Sequence, residues 1–442
     1  MIGTGEHMAV RLRPSRSAAP GARGTLAAAA AALAIAEAAL GQGTTAEPRE
    51  RPEADARHLF VGSVDDVTSK LTDLRFDRNS LTTFDPFSGA RSELRKLNKK
   101  LDRAANLRVG FAWTALYQHA TESQGPEDAA SWDFDFFGRW MPLRTRSTLG
   151  YVIFETQVRD KFFTDISPND LGTVIGSLWP TTNGFNIQSF NLKQIYWQQF
   201  LLKNTFTYRV GKLDQSNVFN INRLQSDNFY FLNSAFSDNP AMAYPDNGFG
   251  FDLTWRPTPL VYLSYGFSDT DPNSVDSSAD KILRNTQWFT VAEVGLTPWI
   301  DGLGAGHYRL TGWFTDSRAS IDATDGAGFA ISCDQDLGPK WITFLRYGLG
   351  NGELTATRQI VAGGFGIRRP IGDNDDFAGI GFAWGQPSDS SLRDQMVAEG
   401  FYRLQWSPAI QVTADVQLIM NPSLAPDQDV IGVFGVRLRI TF

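Results

Sequence analysis

The sequence predicts an all-β chain: a transmembrane antiparallel β-barrel of about 16 strands with a short N-terminal helical periplasmic segment. Three observations carry that prediction. The first is the closing segment, where Val436, Leu438, Ile440 and Phe442 alternate with Arg437, Arg439 and Thr441. This is the period-2 pattern of a strand with one greasy and one polar face. The second is the recurrence of such segments from Asn106 onward. The third is the connections between them, which alternate long and short when counted back from the C-terminus. Outer-membrane barrels have short periplasmic turns and longer outer loops. A soluble sandwich has no reason to sort loop length by parity.

Composition narrows the class. A chain of 442 residues holds two or three soluble domains or one large barrel. No run of about 18 apolar residues is present to cross a bilayer as a helix. The mean hydropathy is below zero, which suits a barrel because its apolar residues hide in alternate positions. Cys333 is the lone cysteine, so no intramolecular disulfide forms. It shares the apolar phase of a strand with Phe329 and Ile331, which makes it a small packing residue.

Taken in order, residues 1–36 read as a signal peptide. Arg11, Arg13, Arg16 and Arg23 precede an Ala/Leu run from Thr25 to Ala36, and Ala34-Ile35-Ala36 fits a small-x-small cleavage site. That segment holds four Arg and one Glu, so its removal takes the formal charge from −7 to −10. An acidic chain argues against nucleic acid as a partner. Residues 37–105 form an N-terminal periplasmic segment. Gln42 to Ala56 is polar, whereas Ser92 to Ala105 reads as a helix through Leu94, Leu97 and Leu101. Three leucines do not distinguish a free coiled coil from a helix docked on the barrel rim or plugging its mouth.

Residues 106–442 form the barrel. Strands are expected near 107–117, 132–140, 148–158, 190–202, 205–212, 248–255, 260–267, 287–296, 307–314, 327–336, 341–349, 360–368, 378–384, 398–406, 410–420 and 430–442. Their lengths are near the ~9–11 residues that a tilted spanning strand needs. Trp140, Trp255, Trp341, Trp384 and Trp406 fall at strand ends, where aromatic girdles meet the lipid–water interface. The loops 159–189 and 213–247 are long enough to fold inward and narrow a channel. An even strand number puts both ends in the periplasm. Phe442, at the end of the last strand, reads as an assembly signal.

If the apolar phase faces lipid, the polar phase lines a lumen. Arg209, Arg309, Arg346, Arg368, Glu399, Arg403, Asp415, Arg437 and Arg439 fall on that phase. Asp214, just past a strand, and Trp197 complete the candidate pore lining. Facing Arg and carboxylate groups set up a transverse field and rows of donors and acceptors. Sugar hydroxyls bond to charged groups, and apolar sugar faces stack on Trp and Tyr.

Several stretches resemble the carbohydrate-selective porins of the OprB family. They are Trp384-Gly385-Gln386-Pro387-Ser388-Asp389, Leu392-Arg393-Asp394-Gln395, Glu399-Gly400-Phe401-Tyr402-Arg403 and Asp415 to Pro422. Val433-Phe434-Gly435-Val436-Arg437-Leu438-Arg439 closes the series, and Arg209 to Asp214 with Phe231 to Phe236 forms a second match. The resemblance implies a barrel of sixteen strands through which sugars diffuse across the outer membrane. Tyr196-Trp197-Gln198-Gln199 carries no Glu where the family is expected to place an acid, so the family's sugar preference is not carried over.

The expected function is passive diffusion of sugars through a water-filled, constricted channel. The alternative is a general or anion-selective porin, which the inward Arg residues permit. A barrel-based hydrolase ranks below both. His7 and His58 precede the barrel, and His119 and His307 lie apart in sequence, whereas a Ser–His–Asp or His–metal site needs a positioned His. Asp373, Asp375 and Asp376 sit in an expected turn. No enzyme activity, cofactor or metal is expected. The expected partners are permeating sugars, outer-membrane lipid and the barrel-assembly machinery, and a homo-oligomer remains open.

Overall fold

The computed structural model describes residues 63–270, 287–318 and 322–442. The expected signal segment 1–36, the polar stretch Gln42–Ala56 and most of the loop after Ser268 lie outside those residues. Sixteen strands build the wall: β1 (Leu107–Ala120), β2 (Asp128–Arg144), β3 (Leu149–Lys161), β4 (Gln188–Leu201), β5 (Phe206–Leu213), β6 (Gly248–Trp255), β7 (Val261–Asp269), β8 (Trp288–Leu296), β9 (Gly304–Thr315), β10 (Gly326–Leu337), β11 (Trp341–Gly350), β12 (Thr357–Arg368), β13 (Phe377–Pro387), β14 (Gln395–Gln405), β15 (Ile410–Met420) and β16 (Val430–Thr441). A two-residue ribbon, Trp299–Ile300, pairs with Gly304 and Ala305. Each wall strand runs antiparallel to its sequence neighbours. β16 closes the barrel on β1, with Ala112 opposite Thr441, Leu116 opposite Arg437 and Ala120 opposite Val433.

The sides of the wall follow from the alternation. On β15, Asp415 and Gln417 are 2% and 0% exposed, whereas Val416 and Leu418 are 41% and 45% exposed. This inverts the pattern of a soluble sheet. It recurs at Leu345, Phe365, Ile380, Phe382, Phe434 and Val436, all exposed. Together they form the outward apolar band of a membrane barrel. Trp140, Trp255, Trp341 and Trp406 sit exposed near the strand ends beside the short turns. Trp384 lies within β13 and is only half-buried.

All sixteen expected strands are present. β2 runs beyond its expected 132–140 at both ends, because it stays paired with β1 and β3 past the apolar stretch. Backbone pairing, not contact with lipid, sets where a strand stops. The tight turn between β4 and β5 carries positive φ at Leu202, Lys203 and Asn204, and Asn tolerates that left-handed backbone.

Among the described residues, four helices accompany the wall: α1 (Val67–Asp73), α2 (Ser88–Ala105), α3 (Pro168–Val174) and α4 (Ser234–Ser237). Helix α2 starts four residues before the expected Ser92. It ends at Asn106, which adopts φ 53° and donates its N–H to Asp102 and Leu101 carbonyls, a left-handed stop that leads into β1. Residues 81 and 82 donate backbone N–H bonds to Gln405 and Trp406 carbonyls. This ties the N-terminal segment to the end of the barrel that bears the short turns. Phe442 exchanges backbone bonds with Phe111, and its ring meets the Phe87 ring edge-on at 5.2 Å.

Candidate constriction site

The long connection between β5 and β6, residues 214–247, folds into the barrel interior. Phe219, Ile221, Leu224, Phe231, Leu232, Ala235, Phe236 and Ala241 are buried; Phe219 packs with Phe289 and Val291 of β8, Leu232 with Leu116 of β1, and Phe231 and Phe236 with inward groups of β11 to β14. Phe231 packs on Phe401 at 4.9 Å, Phe236 at 5.0 Å and Phe344 at 5.5 Å. Tyr230 meets Phe377 at 4.9 Å. Such aromatic pairs contribute about 0.5–1.5 kcal/mol each beyond their area.

Charged wall residues cap the loop's backbone. Glu399 accepts the N–H groups of Leu232 (2.5 Å) and Asn233 (3.0 Å). Arg346 donates to the carbonyls of Phe236 (3.4 Å) and Asn220 (3.1 Å), to the Asp238 carbonyl and to the Gln225 side chain. Arg437 donates to the carbonyls of Asp227 and Tyr230 (3.1 Å) and to Thr413 Oγ1 (3.3 Å). Arg439 donates to Thr114 Oγ1 (2.5 Å) and Asn228 Oδ1 (3.0 Å), and lies 4.5 Å above the Phe229 ring. Arg403 donates to the Phe229 carbonyl at 3.0 Å and covers the Tyr230 ring. These are charge-assisted bonds, the stronger kind. A loop with so many internal polar groups stays inside only if the wall satisfies them.

The connection 162–187 docks beside it. Trp179 is buried and donates Nε1–H to Thr357 Oγ1 at 2.8 Å. Gln417 donates to the Thr181 carbonyl at 2.8 Å, and the two loops meet where Ser234 N–H bonds to the Pro180 carbonyl at 3.1 Å.

The remaining inward charges pair within the wall or with Arg223 of the loop. Arg209 holds Asp252 at 2.7 Å and lies over the Tyr196 ring. Arg309 donates to Tyr262 Oη (3.0 Å) and Asp334 (3.3 Å). Asp334 also takes Arg223 at 2.5 Å and His307 at 2.8 Å. Arg368 pairs with Asp336 at 2.8 Å. Asp415 accepts from Gln417 at 3.2 Å.

Two sequence-based assignments are corrected. Trp197 is out of phase with inward Tyr196 and Gln198. It pairs with Val152 and Val210 on the outer side, because β4 keeps strict alternation there. Asp214 is not on the wall. Its carboxylate caps the 3-10 turn Gln215–Asn217, accepting from Ser216 N–H (3.0 Å) and Asn217 Nδ2 (3.0 Å). The turn carboxylates Asp375 and Asp376 are occupied, by Arg369 and by Tyr402 with Gln405 N–H. The sequence reading missed Glu155, Asp252, Glu293 and Asp334. Each lies on the polar phase of its strand, and that phase was the available signal.

A closed barrel with an apolar outer band and a polar interior narrowed by an inward loop has the architecture of an outer-membrane porin-type protein. The model of the carbohydrate-selective porin, OprB family, matches residues 154–442, and the chain belongs to that family. It is similar to Porin AaxA of Chlamydia abortus, 26% identical over 273 residues, which is 59% of this chain and 59% of that relative's own length. Porin AaxA of Chlamydia pneumoniae is 22% identical over 77% of this chain and 80% of its own. The high-pH structure of Pseudomonas putida OprB superposes with a TM-score of 0.62 at 13% identity, over 83% of this chain and all of that one. That likeness concerns the fold.

Proposed function

We propose that the protein is a passive outer-membrane channel for small carbohydrates. Solute moves down its gradient, so no energy source or cofactor enters. The observation that supports this reading best is the inward loop 214–247, held by Glu399, Arg346 and Arg437 across the interior. A pinned loop sets a bore of fixed width. The polar groups around it are mostly bonded to one another, so their hold on a passing solute is weak. Weak binding favours conduction, because tight binding would stall release. Family membership supports carbohydrate as the solute class. In this reading Arg368 lines the conduit, and the buried inward groups, Arg209, Arg309 and Asp415 among them, shape it by holding the wall and the loop.

Liposome swelling with mono-, di- and trisaccharides tests the proposal. Faster swelling with small sugars than with uncharged polyols of equal size is expected. Rates that depend on solute size alone would sink the sugar-selective part and leave a general porin. Arg346, Arg437 and Arg439, which bond neutral carbonyl and amide oxygens and not carboxylates, favour one second reading, an anion-preferring channel. A reversal potential under a salt gradient separates the two.

A further inference from the structure

We propose that residues 63–74 form part of the channel's constriction and that Lys70 sets its ion selectivity. This rests on the channel reading above. Helix α1 lies against the inner side of β1–β4. Val67 and Leu71 pack on Phe137, Ile153, Tyr196 and Leu213. These four occupy wall positions where a water-filled lumen would call for polar side chains, and the helix covers them. The segment also joins the inward loop, since Ser63 N–H bonds to the Asn217 carbonyl at 2.9 Å. It joins the wall as well, since Tyr196 Oη donates to Asp66 at 3.2 Å.

Charge makes the fit specific. Lys70 Nζ lies 2.6 Å from Glu155 and 3.8 Å from Asp135, with all three side chains buried. Burial alone would depress the ammonium's affinity for its proton. The two carboxylates outweigh that effect and raise it, so Lys70 stays charged. Glu155 has a second, more distant cation in Lys193 at 3.8 Å. Asp135 faces Lys70. The inner wall of β2 and β3 thus carries Asp133, Asp135 and Glu155, with Arg159 beside Asp133, and Lys70 of the N-terminal segment adds a compensating charge beside Glu155 and Asp135. In a low-dielectric interior, one uncompensated charge changes the local potential strongly.

Planar-bilayer recordings of the full chain test this under a KCl gradient, with heat-modifiable gel mobility reporting a folded barrel. Lys70→Met leaves surplus negative charge, and its reversal potential should shift toward cation selectivity. Glu155→Gln leaves surplus positive charge and should shift toward anion selectivity. The double variant should return close to the parent value. Opposite shifts support the proposal, because a segment that merely braces the fold would loosen alike in both single variants. Folded single variants with the parent's reversal potential, or with shifts of the same sign, overturn it. If Lys70→Met fails to insert, the sign of the Glu155→Gln shift decides alone. A folded parent protein that conducts nothing overturns the channel reading itself, and this inference with it.

Discussion

Glu399 Oε1 accepts the backbone N–H of Leu232 at 2.5 Å, across 167 positions of sequence. The carboxylate belongs to β14 and the N–H to the loop after β5. One wall side chain thus fixes where the loop crosses the interior. Glu399→Ala would strand two buried N–H groups, at about 1–3 kcal/mol each. The strand ladder does not use this side chain, so the barrel should still form. Larger and noisier single-channel conductance is expected, with faster proteolysis within 214–247. Glu399→Gln keeps an acceptor and should show a smaller change.

Phe231 anchors the same loop apolarly. It is fully buried among Phe236, Phe344 and Phe401. Phe231→Ala should cost about 3–5 kcal/mol of docking free energy. Conductance should rise at unchanged heat-modifiable mobility. A loss of folded barrel instead would show that the loop is needed for assembly.

The outer face responds to a different rule. Val416 is exposed midway along β15, opposite Gly400 and Phe434. Val416→Arg places a charge in lipid and should destabilise the barrel by about 2–4 kcal/mol if that position is near the midplane. The temperature of the heat-modifiable transition should fall. Arg in place of the neighbouring inward Gln417 would instead act on the loop, through the lost bond to Thr181.

Acidity should tighten the docked loop. Burial pushes the Asp238 carboxyl up to about 6 from 3.8, partly offset by the Asn239 N–H and by Arg346. Asp227 moves the same way, first through burial and then through Asp65. Raised acids favour the docked state while protonated. That advantage is complete below the ordinary carboxylate range and is lost as pH rises toward about 6, at about 1.4 kcal/mol per pH unit for one group. Conductance should be lower and quieter at pH 5 than at pH 7.5. Asp238→Asn should flatten the dependence, and an unchanged pH profile in that variant would remove Asp238 from the account.

The wall was legible in the chain, down to the segments 148–158 and 378–384 that form β3 and β13. Alternation is a local property, and each strand states its own two faces. Phase was also enough to put Arg346, Arg437 and Glu399 on the inner side. It was not enough to show what they touch. They were read as facing water, yet they face the backbone of a loop more than 100 positions away. Trp197 failed because an aromatic's type was allowed to outweigh its phase. Asp214 failed because a residue just past a strand has left the alternation that would orient it.

The sequence by itself determined an antiparallel barrel with an apolar exterior, its strand number and the long loops available to enter it. Period-2 patterning and loop length are written in consecutive residues, and lipid outside with polar groups inside leaves few ways to satisfy them. Only the tertiary structure decided that the loop 214–247 is clamped from the opposite wall, and that Lys70 of the N-terminal segment lies between Glu155 and Asp135. Those arrangements depend on closure. Until β16 pairs with β1, no inside exists, and the charges that meet there are strangers in sequence.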